Sequence, residues 1–229
     1  MKLDIGGDFY EFTHPDDHHW GFLLGDATGH GVTASLVAAV FYGLLQHICK
    51  ESISPKDVLL ELNEALFSLN TRVKELAFPF SATSFYGVLN TQSGYFTFAN
   101  AGHPCAILLN STTNEMRMLE PTGPPLGFST DWNLNQIQLS SVAGNKLIMF
   151  TDGLLTGPGS KGFNMYELQS FIAPLANLEP EQIIDKIFTE AETRFQGKYT
   201  DDVTVIVADF SKLTINSEIC PVAEEKSSS

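Results

Sequence analysis

The sequence predicts an α+β fold in which two antiparallel sheets pack face to face and pairs of helices cover their outer surfaces. Three observations lead there. Strand-like segments come in pairs around short polar turns. Helical segments come as two pairs, one early and one late in the chain. The resulting order (strands, two helices, many strands, two helices, one strand) is not the regular alternation of a parallel doubly wound sheet.

Residues 5–12 and 19–24 read as two strands joined by the turn THPDDHH. Residues 31–49 read as a helix, with apolar residues at Val32, Leu36, Val40 and Leu44 and small alanines that permit close packing. Ser54-Pro55 supplies an N-cap and a first-turn proline for a second helix ending near Asn70. That helix carries Val58, Leu59, Leu62, Leu66 and Leu69 on one side. The period then becomes strand-like. Segments 83–89 and 95–100 flank NTQSG, 105–109 and 115–119 flank a polar turn, and 134–139 and 146–150 flank SSVAGN; each pair predicts a hairpin. Two amphipathic helices, 166–175 and 180–195, precede DVTVIVADF, which reads as a buried strand. The expected division is one domain over 1–211 and a disordered tail over 212–229.

Bulk properties narrow the function. The chain has 229 residues, 43% of them hydrophobic, enough for one domain with a sizeable core. Its net charge of −14, with only 13 Lys and Arg, speaks against a nucleic-acid or anionic-membrane partner. Cys49, Cys105 and Cys220 are scattered and form no C-x-x-C, which suits a reducing compartment. The first residues carry no signal-peptide pattern, and the longest apolar stretch, 32–45, is too short to span a bilayer. A cytoplasmic protein is expected.

Four carboxylates share one context. Asp8 lies in GGDFY, Asp26 in GDA, Asp152 in TDG directly after the strand KLIMF, and Asp201 with Asp202 directly before VTVIVADF. Each sits at the edge of an apolar strand, and three have glycine beside them, which lets a backbone approach a ligand closely. An Asp next to Gly is, taken singly, more often a turn residue or a cap. Four in one context favour a site. Carboxylates gathered at one end of a sandwich repel one another unless a divalent cation sits among them. An all-oxygen ligand set selects Mg²⁺ or Mn²⁺ over zinc. Two such ions can lower the pKa of a bridging water and aim it at phosphorus.

Other chemistries are poorly supported. His30 and His103 each follow a glycine, lack the paired spacing of a zinc site, and read as hydrogen-bonding turn histidines. No G-x-S-x-G elbow and no phosphate-binding G-x-x-x-x-G-K-[ST] is present.

The segments GGDFYEF, LLGDATGHGVTASLVAA, SFYGVLN, FTFANAGHPCAILL, TGPPLGF, GNKLIMFTDGLLT and TDDVTVIVADF, in that order, resemble the successive blocks of the SpoIIE/RsbU-type serine phosphatases of the metal-dependent (PPM, type 2C) superfamily. The resemblance runs from about residue 4 to 210. It implies a four-layer αββα sandwich, here lacking the first N-terminal strand that relatives carry before GGDFYEF. It also implies a centre of two Mn²⁺ or Mg²⁺ ions. By motif, Asp8, Asp26, Asp152 and Asp201 match its metal-binding aspartates, and Ala27 matches the position whose backbone carbonyl ligates metal. Asp202 stands where many relatives have Asn, so Asp201 is preferred as the ligand. The implied reaction is hydrolysis of phosphoserine or phosphothreonine, typically on an anti-sigma-factor antagonist (STAS) protein, by a metal-bridged hydroxide. The helices after Gly31 resemble the family's regulatory switch element. They are the expected contact for a regulatory partner or a second copy. The alternatives are an inactive phosphatase-fold binding module of a partner-switching pathway and a hydrolase of small phosphoesters.

Overall fold

The computed structural model describes residues 6–29, 32–72, 79–129 and 132–213. The tail from 214 onward and His30 lie outside the described residues.

Strands β1 (Asp8–Asp16) and β2 (His19–Ala27) form an antiparallel pair from which the first sheet grows. Its order is β1-β2-β3-β4-β7, with β3 at Ala82–Asn90, β4 at Phe96–Ala101 and β7 at Ile137–Leu139. The second sheet, β6-β5-β8-β9, uses β5 (Ala106–Asn110), β6 (Met116–Leu119), β8 (Asn145–Phe150) and β9 (Val205–Asp209). Every pairing between these strands is antiparallel. Helices α1 (Val32–Glu51) and α2 (Pro55–Arg72) cover the first sheet, and α3 (Met165–Ile172) and α4 (Pro180–Phe195) cover the second.

Both faces of the central strands are therefore buried, which is why β2 and β3 read as continuous apolar runs. Leu23 and Tyr86 face α1 and α2, whereas their neighbours Leu24 and Phe85 face the second sheet. Between the sheets, Phe85 stacks on Phe98 at 5.5 Å and Phe22 meets Phe210 at 5.6 Å. The third layer packs Phe150, Leu168, Ile172, Ile183, Ile187 and Phe195 beneath α3 and α4.

Several sequence expectations need correction. The first turn is shorter than THPDDHH, because β1 continues to Asp16 through an irregularity in register after Thr13. The segments around SSVAGN do not form a hairpin: β7 pairs with β4 and β8 with β5 and β9, so this loop carries the chain between sheets. The buried stripe of α1 is Val37, Phe41, Leu45 and Ile48, while Leu36 is exposed. Phe41 sets that face by packing edge-on against Phe9 at 5.1 Å. Strand β9 is half-buried throughout, because β8 is its only partner among the described strands.

Helix α2 begins as its sequence predicts, with the Asp57 N–H donating to Ser54 Oγ at 3.3 Å. Its inner face holds the loop after β6 in place. Buried Asn63 accepts from the Gly127 N–H at 2.8 Å and donates to the Ser129 carbonyl at 2.9 Å. Asn70 bonds Phe80 in both directions and also donates to the Gly127 carbonyl. Asn63→Ala would strand the Gly127 N–H and is expected to cost about 1–3 kcal/mol, read as a lower denaturant midpoint at unchanged slope.

Candidate functional site

The β1–β2 register sets Asp8 directly opposite Asp26. Like charges facing each other across a strand pair destabilise it, so this placement calls for a reason beyond folding. The second sheet brings its own carboxylates to the same edge. Thr151, one residue past β8, donates its hydroxyl to Asp8 Oδ2 at 2.8 Å. Thr204, just before β9, donates to the same oxygen at 2.6 Å. The Gly7 N–H donates to Asp202 Oδ2 at 3.0 Å. These bonds span 143 to 196 residues of sequence and lace the two sheets together where Asp8, Asp26, Asp152, Asp201 and Asp202 converge.

The electrostatics report the same convergence. Burial, and then the charges of Asp8, Asp152, Asp201 and Asp202, push the Asp26 carboxyl up to about 7. Burial pushes Asp8 up to about 6 against the pull of the two threonine hydroxyls, and Asp202 and Asp201 add to the rise. Burial and then Asp201 raise Asp152. The charges acting on Asp26 are all of its own sign, the environment a cation would relieve.

Glycine makes the close approach possible. A side chain on Gly7 would place its Cβ 2.7 Å from both Asp26 Oδ1 and the Ala27 carbonyl oxygen. Those two oxygens therefore flank one small space that only a glycine leaves open. Ala27 itself is buried, and its N–H donates to the Gly7 carbonyl at 3.0 Å. A side chain on Gly153 would strike the Asp202 carbonyl, so the loops bearing Asp152 and Asp202 also touch.

The donors are hard oxygens of carboxylate and carbonyl type, which suits Mg²⁺ or Mn²⁺ held partly through water. Among the described residues no three His, Cys, Asp or Glu side chains are grouped tightly enough to hold one ion by themselves. All four aspartates named from the sequence, and Ala27, thus lie at one edge. The choice between Asp201 and Asp202 gains contrast: Asp201 acts on Asp152, whereas Asp202 is tied to Gly7. Sequence reasoning missed Thr151 and Thr204. Their signal was adjacency, in Thr151-Asp152 and in Asp202-Val203-Thr204.

Known proteins share this fold. The family model described as Stage II sporulation protein E (SpoIIE) matches residues 16–211, so the match begins after Asp8. The phosphoserine phosphatase RsbP of Bacillus subtilis (strain 168) is 26% identical over 207 residues, covering 90% of this chain but only 49% of RsbP. Among solved structures, the SiaA-PP2C domain of Pseudomonas aeruginosa superposes with a TM-score of 0.75 at 22% identity, covering 90% of this chain and 81% of that one. A structure of RsbX in complex with magnesium gives a TM-score of 0.66 at 20% identity, covering 90% and 88%. The chain belongs to the SpoIIE family.

The crowded carboxyls carry a pH signature. With metal chelated, the folded protein keeps protons on Asp26 up to about pH 7, while the unfolded chain releases them near the ordinary 3.8. Folding then takes up protons in that window, so the Asp26 contribution to stability falls as pH rises through it and levels off above it. Asp26→Asn removes this loss. Its unfolding midpoint relative to wild type, both in chelator, is expected to climb between pH 4 and 7 and then stay constant; a pH series of thermal melts checks it.

Proposed function

We propose that this chain is a metal-dependent protein serine/threonine phosphatase. In this reading Asp8, Asp26, the Ala27 carbonyl, Asp152 and Asp201 hold two Mn²⁺ or Mg²⁺ ions. The observation that carries it is the meeting of carboxylates from both sheets at one edge, with Asp26 driven up to about 7 by four neighbours of its own sign. The likeness to RsbP, a phosphoserine phosphatase, and to RsbX, solved with magnesium, supports it.

When bound, the ions supply an acidified water and neutralise charge on the phosphoryl oxygens. The chain's residues do the remainder. Thr151 and Thr204 both donate to Oδ2 of Asp8, which orients that carboxylate and leaves Oδ1 for other contacts. Gly7 keeps the space between Asp26 Oδ1 and the Ala27 carbonyl clear. The Gly7 N–H fixes Asp202, and with it the loop that carries Asp201. The acceptor is water and no side chain is asked to form a covalent intermediate.

The substrate we propose is phosphoserine or phosphothreonine on a STAS-type anti-sigma-factor antagonist. Residues 1–211 act as the catalytic domain, and α1 and α2 are the surface for a regulatory partner or a second copy. Among the described residues no helix is long and apolar enough to cross a membrane; the scattered cysteines support a cytoplasmic setting.

The test is phosphate release from an aryl phosphate and from a phosphoserine STAS protein, with Mn²⁺, with Mg²⁺ and with chelator. Release is expected to require the ion. Asp26→Ala and Asp152→Ala are each expected to lower it about a thousandfold, the several kcal/mol that metal stabilisation supplies. Turnover undiminished in chelator would sink the reading. A folded, metal-replete chain that binds the STAS protein without release would instead be a binding module.

A further inference from the structure

Among the described residues one buried side-chain nitrogen has no hydrogen-bond partner, Nε2 of His103. Its residue is 1% exposed. An unpaired polar group at that depth is costly and uncommon, so its position has a reason to be found.

The ring sits between the sheets, directly behind the carboxylate edge. Gly102, at a φ of +68°, turns the chain after β4 and sends His103 inward. The His103 N–H donates to Asn100 Oδ1 at 2.8 Å. Its Nδ1 lies 2.8 Å from Thr83 Oγ1, and Thr83 is the register partner of Asp26. The Phe150 backbone also acts on the ring, favouring a protonated nitrogen, although it does not meet Nε2 in good hydrogen-bond geometry. Phe150 ends β8, and Thr151 and Asp152 follow it. One imidazole therefore touches the partner of Asp26 in the first sheet and faces the residue that leads to Asp152 in the second.

Burial drives the ring down to about 3, so it is neutral and carries one proton. A carbonyl can only accept, whereas the Thr83 hydroxyl can donate or accept. The proton therefore belongs on Nε2, aimed toward Phe150, with Thr83 donating to Nδ1. A small approach of the two sheet ends would complete the bond. The crowded carboxylates oppose that approach, and a divalent cation among them would reverse the sign of the force.

We propose that His103 is a positioning residue that couples cation binding to closure of the two sheet ends, its Nε2–H taking the Phe150 carbonyl as Asp152 is drawn toward Asp26. This rests on the reading that these carboxylates hold Mg²⁺ or Mn²⁺. The ring acts as a strut from Thr83 to Phe150 and sets how closely the two halves of the ligand set meet.

The experiment uses the whole chain, metal-free and then titrated with Mg²⁺, which is diamagnetic. Calorimetry gives the affinity, and imidazole ¹⁵N and ¹H resonances report the ring. In wild type, Mg²⁺ saturation is expected to shift Nε2–H downfield and slow its exchange. His103→Phe, which keeps a ring without nitrogens, is expected to weaken Mg²⁺ binding roughly tenfold, as loss of a supporting hydrogen bond does at other metal sites. Its metal-free melting temperature sets the removed orphan nitrogen against the lost Thr83 hydrogen bond, so the readout is the rise in melting temperature on adding Mg²⁺, which is expected to be smaller than in wild type. His103→Gln, which restores an N–H donor, is expected to recover part of the affinity. A purely structural histidine would show unchanged affinity and an unchanged Mg²⁺-induced rise in melting temperature, whatever the metal-free value. Unchanged affinity in folded His103→Phe, or ring resonances unmoved at Mg²⁺ saturation, overturns the proposal. If His103→Phe does not fold, the wild-type resonances decide. A wild type that binds no Mg²⁺ overturns the cation reading and this inference together, whereas binding with a silent ring overturns this inference alone.

Discussion

Asp8 faces Asp26 across the first strand pair, and much of the rest of the structure can be read as what makes that placement tolerable. Side-chain period in a strand is two, so a slip of one residue between β1 and β2 would turn Phe9 away from Phe41 and expose it. Burial of Phe9 and Leu23 against α1 thus fixes the register, and the register fixes the carboxylates. The one irregularity of this pair comes after Thr13, at the end away from the site.

The second sheet contributes through its loops. Thr151 and Thr204 are mutually bonded, the Thr204 N–H donating to Thr151 Oγ1 at 2.9 Å, and both hydroxyls converge on Asp8. Two donors on one oxygen favour its charged form and limit the rise that burial imposes. Asp26 has no hydroxyl donor of this kind among the causes acting on it, and its carboxyl is driven higher. The pair is therefore asymmetric. Asp8 is anchored from both sheets, while Asp26 is held by its strand and answers to the charges around it.

Most of the architecture was legible in the sequence because it rests on local signals. Ser54-Pro55 started α2 where capping chemistry places it, and residues 180–195 form α4 with the predicted bounds. The misses are non-local. Nothing within residues 134–150 says that β7 pairs with β4 and β8 with β5. The spacing of Val32, Leu36, Val40 and Leu44 marks α1 as a helix but not its inner face, since its sequence is apolar nearly all round; the partner Phe9 decides that Phe41 rather than Leu36 turns inward. The strand DVTVIVADF looked buried because it is apolar, yet among the described strands β9 lies at the edge of its sheet. At the site, the aspartates were visible as types in a repeated context. The threonines were not, since a hydroxyl reaching a carboxylate 143 or 196 residues away leaves no periodic trace.

A chain of net charge −14 gains nothing structural from adding a knot of like charges at a strand end. Folding alone would favour asparagine at Asp26, which keeps the shape and loses the repulsion. The same holds at Gly7, where the absence of a side chain weakens a strand end but leaves open the space between Asp26 Oδ1 and the Ala27 carbonyl. His103 adds a buried nitrogen without a partner, close behind that edge. Three features that each lower stability meet in one region. Local rules broken together at one place are what a site built for chemistry rather than for folding leaves in a structure.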